Sequence, residues 1–289
     1  MRALHPSRIE AVRPRLINLV AEPVAGFTKR LDGGETVDIY AELASDLPLL
    51  VLARLVELPD AHAAVVKEFS RAALKLFCSP VDEPRQIHLA DTAGRFHRVL
   101  RNFVTQAGGT VGELREHARE HGLHPDLPIG ALFFLLVAGQ ETTSQFLTLL
   151  MHRLILEPHV LTTQVNVDDI VEEGLRLEPP IPTWRRVAAF DTFLNASLVP
   201  AGRSVILWLA KAGADVAGPG FAPGTRGSRR HLAFGAGAHR CVGAHLTRLE
   251  AAVVIDAMAP LLLRAQIVRA PRYQDNLSFR MPDCLMISF

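Results

Sequence analysis

The chain has 289 residues, 49% hydrophobic and 21% charged, a composition that excludes disorder and allows a sizeable core. With 31 basic and 30 acidic residues the formal net charge is +1, so no strong field gathers nucleic acid or an anionic membrane surface. Cys78, Cys241 and Cys284 are an odd set at wide spacing, which specifies neither a disulfide framework nor a zinc site and points to a reducing cytoplasm.

The first residues, MRALHPSRIE, carry no apolar signal stretch. Helical periodicity follows over residues 7–31, with Ile9, Val12, Leu16, Leu19 and Val20 on one face, ending at Asp32-Gly33-Gly34. Residues 41–57 read as an apolar helix interrupted by Pro48, with a break at Leu58-Pro59-Asp60. Helices are expected near 61–77 and 85–106, separated by the Pro80 and Pro84 loop. Residues 108–128 are polar and read as a surface segment with one or two helical turns.

A long helix is expected from about Pro128 to Glu157, its first half apolar all round and therefore central. Its apolar run from Ile129 to Gly139 is 11 residues, too short to span a membrane. After Pro179 come β-like runs at 186–193 and 204–208, an irregular stretch at 213–230, a helix near 242–259 and a strand pair at 277–289. The expectation is a mainly α fold with a small β region, residues 1–289 forming a single domain.

The segment from Phe234 to Gly243, FGAGAHRCVG, is the most informative. Only a thiolate ligates metal strongly, so something must hold charge on the Cys241 sulfur. A helix start offers free N–H groups and partial positive charge. Gly235, Gly237 and Gly243 would let those amides approach closely, and such bonds tune a bound metal. A structural cysteine beside a turn is the plain alternative. A dinucleotide loop is another, weakened because Arg240 stands where its third glycine belongs.

Phe-x-x-Gly-x-His-x-Cys-x-Gly, matched at Phe234, Gly237, His239, Cys241 and Gly243, resembles the haem-binding signature of the cytochrome P-450 family. The resemblance implies a cytochrome P-450-like helical fold with haem b as cofactor. It implies Cys241 as axial thiolate ligand, a ligation that favours O–O cleavage, and His239 near a haem propionate.

Within the long helix, Ala138-Gly139-Gln140-Glu141-Thr142-Thr143 is similar to the family's oxygen-binding motif. Gly139 costs roughly 1 kcal/mol relative to alanine in a helix interior, a cost that a flat ligand against the backbone would justify. Thr142 and Glu141 bring a hydroxyl and an acid to one site, as ordered proton delivery requires. A threonine bonded to its own helix and a surface glutamate are the structural alternative. Ala138, Ile181 and Thr183 are candidates for the substrate wall.

Glu173-Gly174-Leu175-Arg176 places an acid and an arginine on one helix face. With the prolines that follow, it resembles the family's Glu-x-x-Arg helix. The resemblance implies a propionate-binding arginine downstream, Arg186 or its neighbour Arg185, and a third triad member, Arg226, as a structural lock. It further implies a monooxygenase acting on a small apolar substrate, with electrons from a ferredoxin- or flavodoxin-type donor.

Against the family pattern the chain starts late, so amino-terminal elements and their propionate-binding arginine are missing, and a truncated, non-catalytic remnant is an alternative. Ala212-Gly213-Ala214-Asp215 also stands where many bacterial members have Ala-Asn-Arg-Asp. A more distant alternative is a zinc hydrolase, because His117, Glu120 and His121 match His-x-x-Glu-His. Its polar surroundings suit a solvated face better.

Overall fold

Helical periodicity over most of the chain becomes ten α-helices in the computed structural model, which describes residues 4–59, 62–274, 276 and 278–289. They are α1 (Pro6–Glu10), α2 (Arg13–Asp32), α3 (Leu47–Leu55), α4 (Ala63–Cys78), α5 (Glu83–Gln106), α6 (Gly109–Glu120), α7 (Leu127–Leu156), α8 (Val167–Leu177), α9 (Leu209–Ala217) and α10 (Ala244–Leu262). Strands are short: β1 (Val37–Asp38), β2 (Thr183–Val187), β3 (Thr192–Leu194), β4 (Ser197–Val199), β5 (Ser204–Trp208), β6 (Gln266–Arg269) and β7 (Met286–Ser288). The expected turn residue Asp60 and the first residue of the expected tail pair, Leu277, lie outside the described residues.

Prolines start helices here. Pro14, Pro48, Pro84 and Pro128 sit in the first turns of α2, α3, α5 and α7, where a missing N–H costs nothing. This splits the expected helix at 7–31 into α1 and α2, and makes Pro48 a junction after a π-helical turn at Tyr40–Ala44. Side chains cap three starts: His5 accepts from the Ser7 N–H, Asp82 from the Arg85 N–H and Asn166 from the Asp168 N–H.

Four expectations shift. The polar segment holds a full three-turn helix, α6, because Val111 and Ala118 dock one of its faces. The irregular stretch begins with α9. The β-like run at 186–193 divides between β2, paired with β5, and β3, hairpinned to β4. The tail strand β7 pairs not within the tail but between β1 and β6.

α7 runs through the core and packs against α3, α4, α5, α6, α8 and α10. Its Phe133 joins Phe69 of α4 and Phe96 of α5, with ring centroids 4.6 and 5.9 Å away. Among the described residues no helix is long and apolar enough to cross a membrane.

A buried ion pair ties α8 to α9. Arg176 donates to both Glu173 oxygens at 2.6 and 2.8 Å, and to the Gly213, Gly218 and Gly220 carbonyls. Gly213 must be glycine: a Cβ there would lie 2.2 Å from the Arg176 carbonyl oxygen. Gly213→Ala should therefore destabilise by more than 1 kcal/mol, whereas Gly26→Ala, with nothing within 4 Å, should stabilise by about 0.4–1 kcal/mol. Chemical denaturation of both variants checks this.

Glu250 of α10 is fully enclosed, its two oxygens have no hydrogen-bond partner, and burial pushes it from 4.5 up to about 8. The folded chain thus keeps a proton that the unfolded chain releases between those values. Stability should fall as pH rises through that window, by on the order of a few kcal/mol. Melting temperature against pH should flatten in Glu250→Gln.

Candidate functional site

The cysteine loop is built from turns that glycine permits. Gly235 and Gly237 have φ of +65° and +79°, a region side chains disfavour. The Cys241 N–H closes the loop by donating to the Phe234 carbonyl at 2.9 Å. His239 ends a short 3-10 turn, Gly237–His239, and is exposed.

The sulfur faces the start of α10. Partial burial pushes the Cys241 thiol up, while N–H groups of Gly243 and Ala244 and the charges of Arg240 and Arg248 pull it down. The expected amide donors are therefore in place, although desolvation outweighs them for the free thiol.

The loop is held at both ends by one carboxylate. Glu172 of α8 pairs with His231 Nε2 at 3.1 Å and with the Arg248 guanidinium. Burial raises Glu172, but those two partners more than offset it and hold it at about 2. Arg248 also lies 4.6 Å from the centre of the Phe234 ring, at cation–π distance.

From Leu135 to Met151 of α7 every residue is buried except Ala138, Gly139 and Thr142. The unburied stripe thus coincides with the acid–alcohol motif. α10 meets α7 beside it: Thr247 and Thr143 hydroxyls lie 3.3 Å apart, and the Thr247 N–H donates to Gly243. The cysteine loop and the stripe are joined through this contact.

Side chains of the motif point elsewhere. The Thr142 hydroxyl donates to the Ala138 carbonyl at 2.7 Å, the local bond weighed as an alternative. Glu141 is buried, with Lys67 Nζ of α4 at 3.1 Å, within ion-pair distance but outside hydrogen-bond geometry. Tyr40's own burial, and then the Glu141 charge, push the Tyr40 hydroxyl up, and Arg71 opposes them.

Gly139 also answers to packing. A Cβ there would meet Leu52 Cδ1 of α3 at 2.9 Å, so close packing of α3 on α7 is one reason for glycine here.

The arginine triad is also corrected. Glu173 and Arg176 pair as expected, but Arg226 is exposed and joins neither. Arg176 spends its donors on three glycine carbonyls, and the Ala222 N–H takes a Glu173 oxygen. Arg186 and Arg185 alternate along β2, both exposed, with Arg186 donating to the Arg185 carbonyl. Ile181 and Thr183 are half-buried.

No family model matches the chain. It is 29% identical over 97% of its length to the cyclomarin C epoxidase CymV of Salinispora arenicola, covering 74% of that protein. It is 32% identical over 87% of its length to a vitamin D3 dihydroxylase of Streptomyces griseolus, covering 63%. The solved structure of cytochrome P-450 CREJ in complex with (4-ethylphenyl) dihydrogen phosphate superposes over the whole chain with a TM-score of 0.91 at 24% identity, three quarters of that chain being covered. The chain belongs to the cytochrome P-450 family. It is short for that family, spanning 63% and 74% of the two relatives' lengths.

The cofactor of the cytochrome P-450 family is haem b, and the residues present fit it. Cys241 offers an accessible soft sulfur already met by two amides. A Cβ at Gly235 or Gly237 would have nothing within 4 Å. Exposed apolar side chains suited to a macrocycle include Phe134 and Val242, and exposed hydrogen-bond donors suited to propionates include His239 and Arg186. The zinc-hydrolase reading finds no support: His117, Glu120 and His121 are all exposed on α6, with nothing to exclude water.

Removing the Lys67 charge should free Glu141 from its ion pair. Lys67→Met should therefore destabilise the fold by roughly 3–5 kcal/mol, because the buried Glu141 carboxylate loses its partner. Chemical denaturation of the wild type and variant checks this.

Proposed function

We propose that this chain is a haem-thiolate monooxygenase that inserts one atom of O2 into a small apolar organic substrate. A ferredoxin- or flavodoxin-type donor supplies two electrons, two protons are consumed, and the second oxygen atom leaves as water. Residues 1–289 act as one haem-binding domain. The observation that carries the reading is the exposed Cys241, set just before α10 in a loop built on positive-φ glycines and closed by its own N–H on the Phe234 carbonyl. The epoxidase and dihydroxylase among the relatives, which by name add oxygen to carbon, support the same reaction class.

When bound, haem supplies O2 binding and reductive O–O cleavage, which a thiolate ligand favours. Cys241 holds the iron. His239 and Arg186 neutralise the propionates, and Phe234 packs beneath the loop. Gly235, Gly237 and Gly243 keep backbone close to the sulfur. Ala138, Ile181 and Thr183 form an apolar wall for substrate.

Thr142 and Glu141 manage protons. The Thr142 hydroxyl gives its hydrogen to the Ala138 carbonyl, leaving its oxygen lone pairs free to accept from a water on the unburied stripe. Glu141 rests against half-buried Lys67, and rotation about its side chain would move a proton from that side of α7 to the stripe. Both groups hold water in order rather than react.

Turnover with 18O2 and a donor system tests the reading. One labelled atom per product molecule is expected. Thr142→Ala should keep the haem spectrum and lower product per electron several-fold. A variant with unchanged coupling would remove Thr142 from the proton path, and a haem-loaded wild type that oxidises no member of a broad apolar substrate panel would remove the monooxygenase reading.

A further inference from the structure

The last turn of α6 carries a second metal-ligand set, unrelated to the cysteine loop. His117 and His121 are one turn apart with ring centroids 4.1 Å from each other. One ring nitrogen of each and a Glu120 carboxylate oxygen fall within 4.8 Å of one another. Residues four apart on a helix share a face, so two imidazoles on one turn can close on a single ion.

Three details favour ligation over a chance cluster. The His121 Nδ1 lies 2.9 Å from the His117 carbonyl. A carbonyl only accepts, so Nδ1 carries the hydrogen and Nε2 presents its lone pair outward, the arrangement that orients metal-bound histidines. Arg119 turns to Glu116 on the preceding turn, and among the described residues Glu120 forms no ion pair. Finally, this turn is the carboxy-terminal end of α6, where the helix dipole favours a cation.

We propose that His117, His121 and Glu120 bind one borderline divalent transition-metal ion, such as Zn2+, as a clamp on the end of α6. Two imidazoles and a carboxylate suit that class over Ca2+ or Mg2+, which prefer all-oxygen cages. The ion completes its shell with water and does no hydrolysis, because all three ligands are exposed and nothing shields an attacking water.

Titrating zinc sulfate into the full chain, followed by calorimetry, tests this. One equivalent should bind to the wild type and to Cys241→Ala, which removes the competing exposed thiol. His117→Ala and His121→Ala should each weaken that site by at least about tenfold, the lower bound for losing even an outer partner of a metal. Zn2+ should raise the melting temperature of the wild type but not of His121→Ala. Because the positions are exposed, far-ultraviolet dichroism should match the wild type. His117→Gln provides a second, isosteric test should His117→Ala misfold. Absence of a stoichiometric site, binding lost only in Cys241→Ala, or affinity unchanged in both histidine variants would overturn the proposal.

Discussion

Two adjacent carboxylates on α8 organise everything that precedes and follows the cysteine. Glu173 holds a guanidinium from which water is wholly excluded, and Arg176 in turn satisfies the Gly213, Gly218 and Gly220 carbonyls. Glu172 holds His231 before the loop and Arg248 after it. A segment with almost no regular structure is thereby fixed at its start, middle and end. Removing one member of such a buried pair leaves an uncompensated charge, at a cost of roughly 3–5 kcal/mol. The cysteine loop inherits its position from this clamp.

Electrostatics at the sulfur then follow. Burial disfavours the thiolate, and amides at a helix start favour it. For the free thiol burial wins. A cation at the sulfur would reverse the balance, since metal binding displaces the proton and couples affinity to pH. The same contrast runs through the core. Glu172, with an arginine and a histidine as partners, is held at about 2, and Glu250, with no partner, is pushed to about 8. Burial alone does not set a carboxyl group's state here. Its partners do.

What was legible in the sequence was local. The cysteine loop could be read because its glycines, its cysteine and the following helix start lie within ten residues. α7 could be read because thirty consecutive residues carry a helical, apolar pattern. The Glu173–Arg176 pair is a one-turn contact. Missed features needed partners far away in the chain. Lys67 against Glu141 joins α4 to α7, and nothing in either segment names the other. Gly139 lies against Leu52 of α3, a contact between segments far apart in the chain. Glycine carbonyls stand in for Arg226 beside Arg176, and a second set, Glu172 with His231 and Arg248, was missed, although His231 stands just before the loop and Glu172 just before Glu173. Those adjacencies were the available signal. The helix at 109–120 leaves little apolar pattern in the sequence because only Val111 and Ala118 among its residues are buried.

A metal-bound Cys241 thiolate has an optical signature that can be measured directly. The chain reconstituted with hemin, reduced and exposed to carbon monoxide should show the far-red-shifted Soret band of thiolate ligation, and Cys241→Ser should lack it. A wild type that takes up no haem, or one whose band is unchanged by serine at position 241, would contradict thiolate ligation by Cys241.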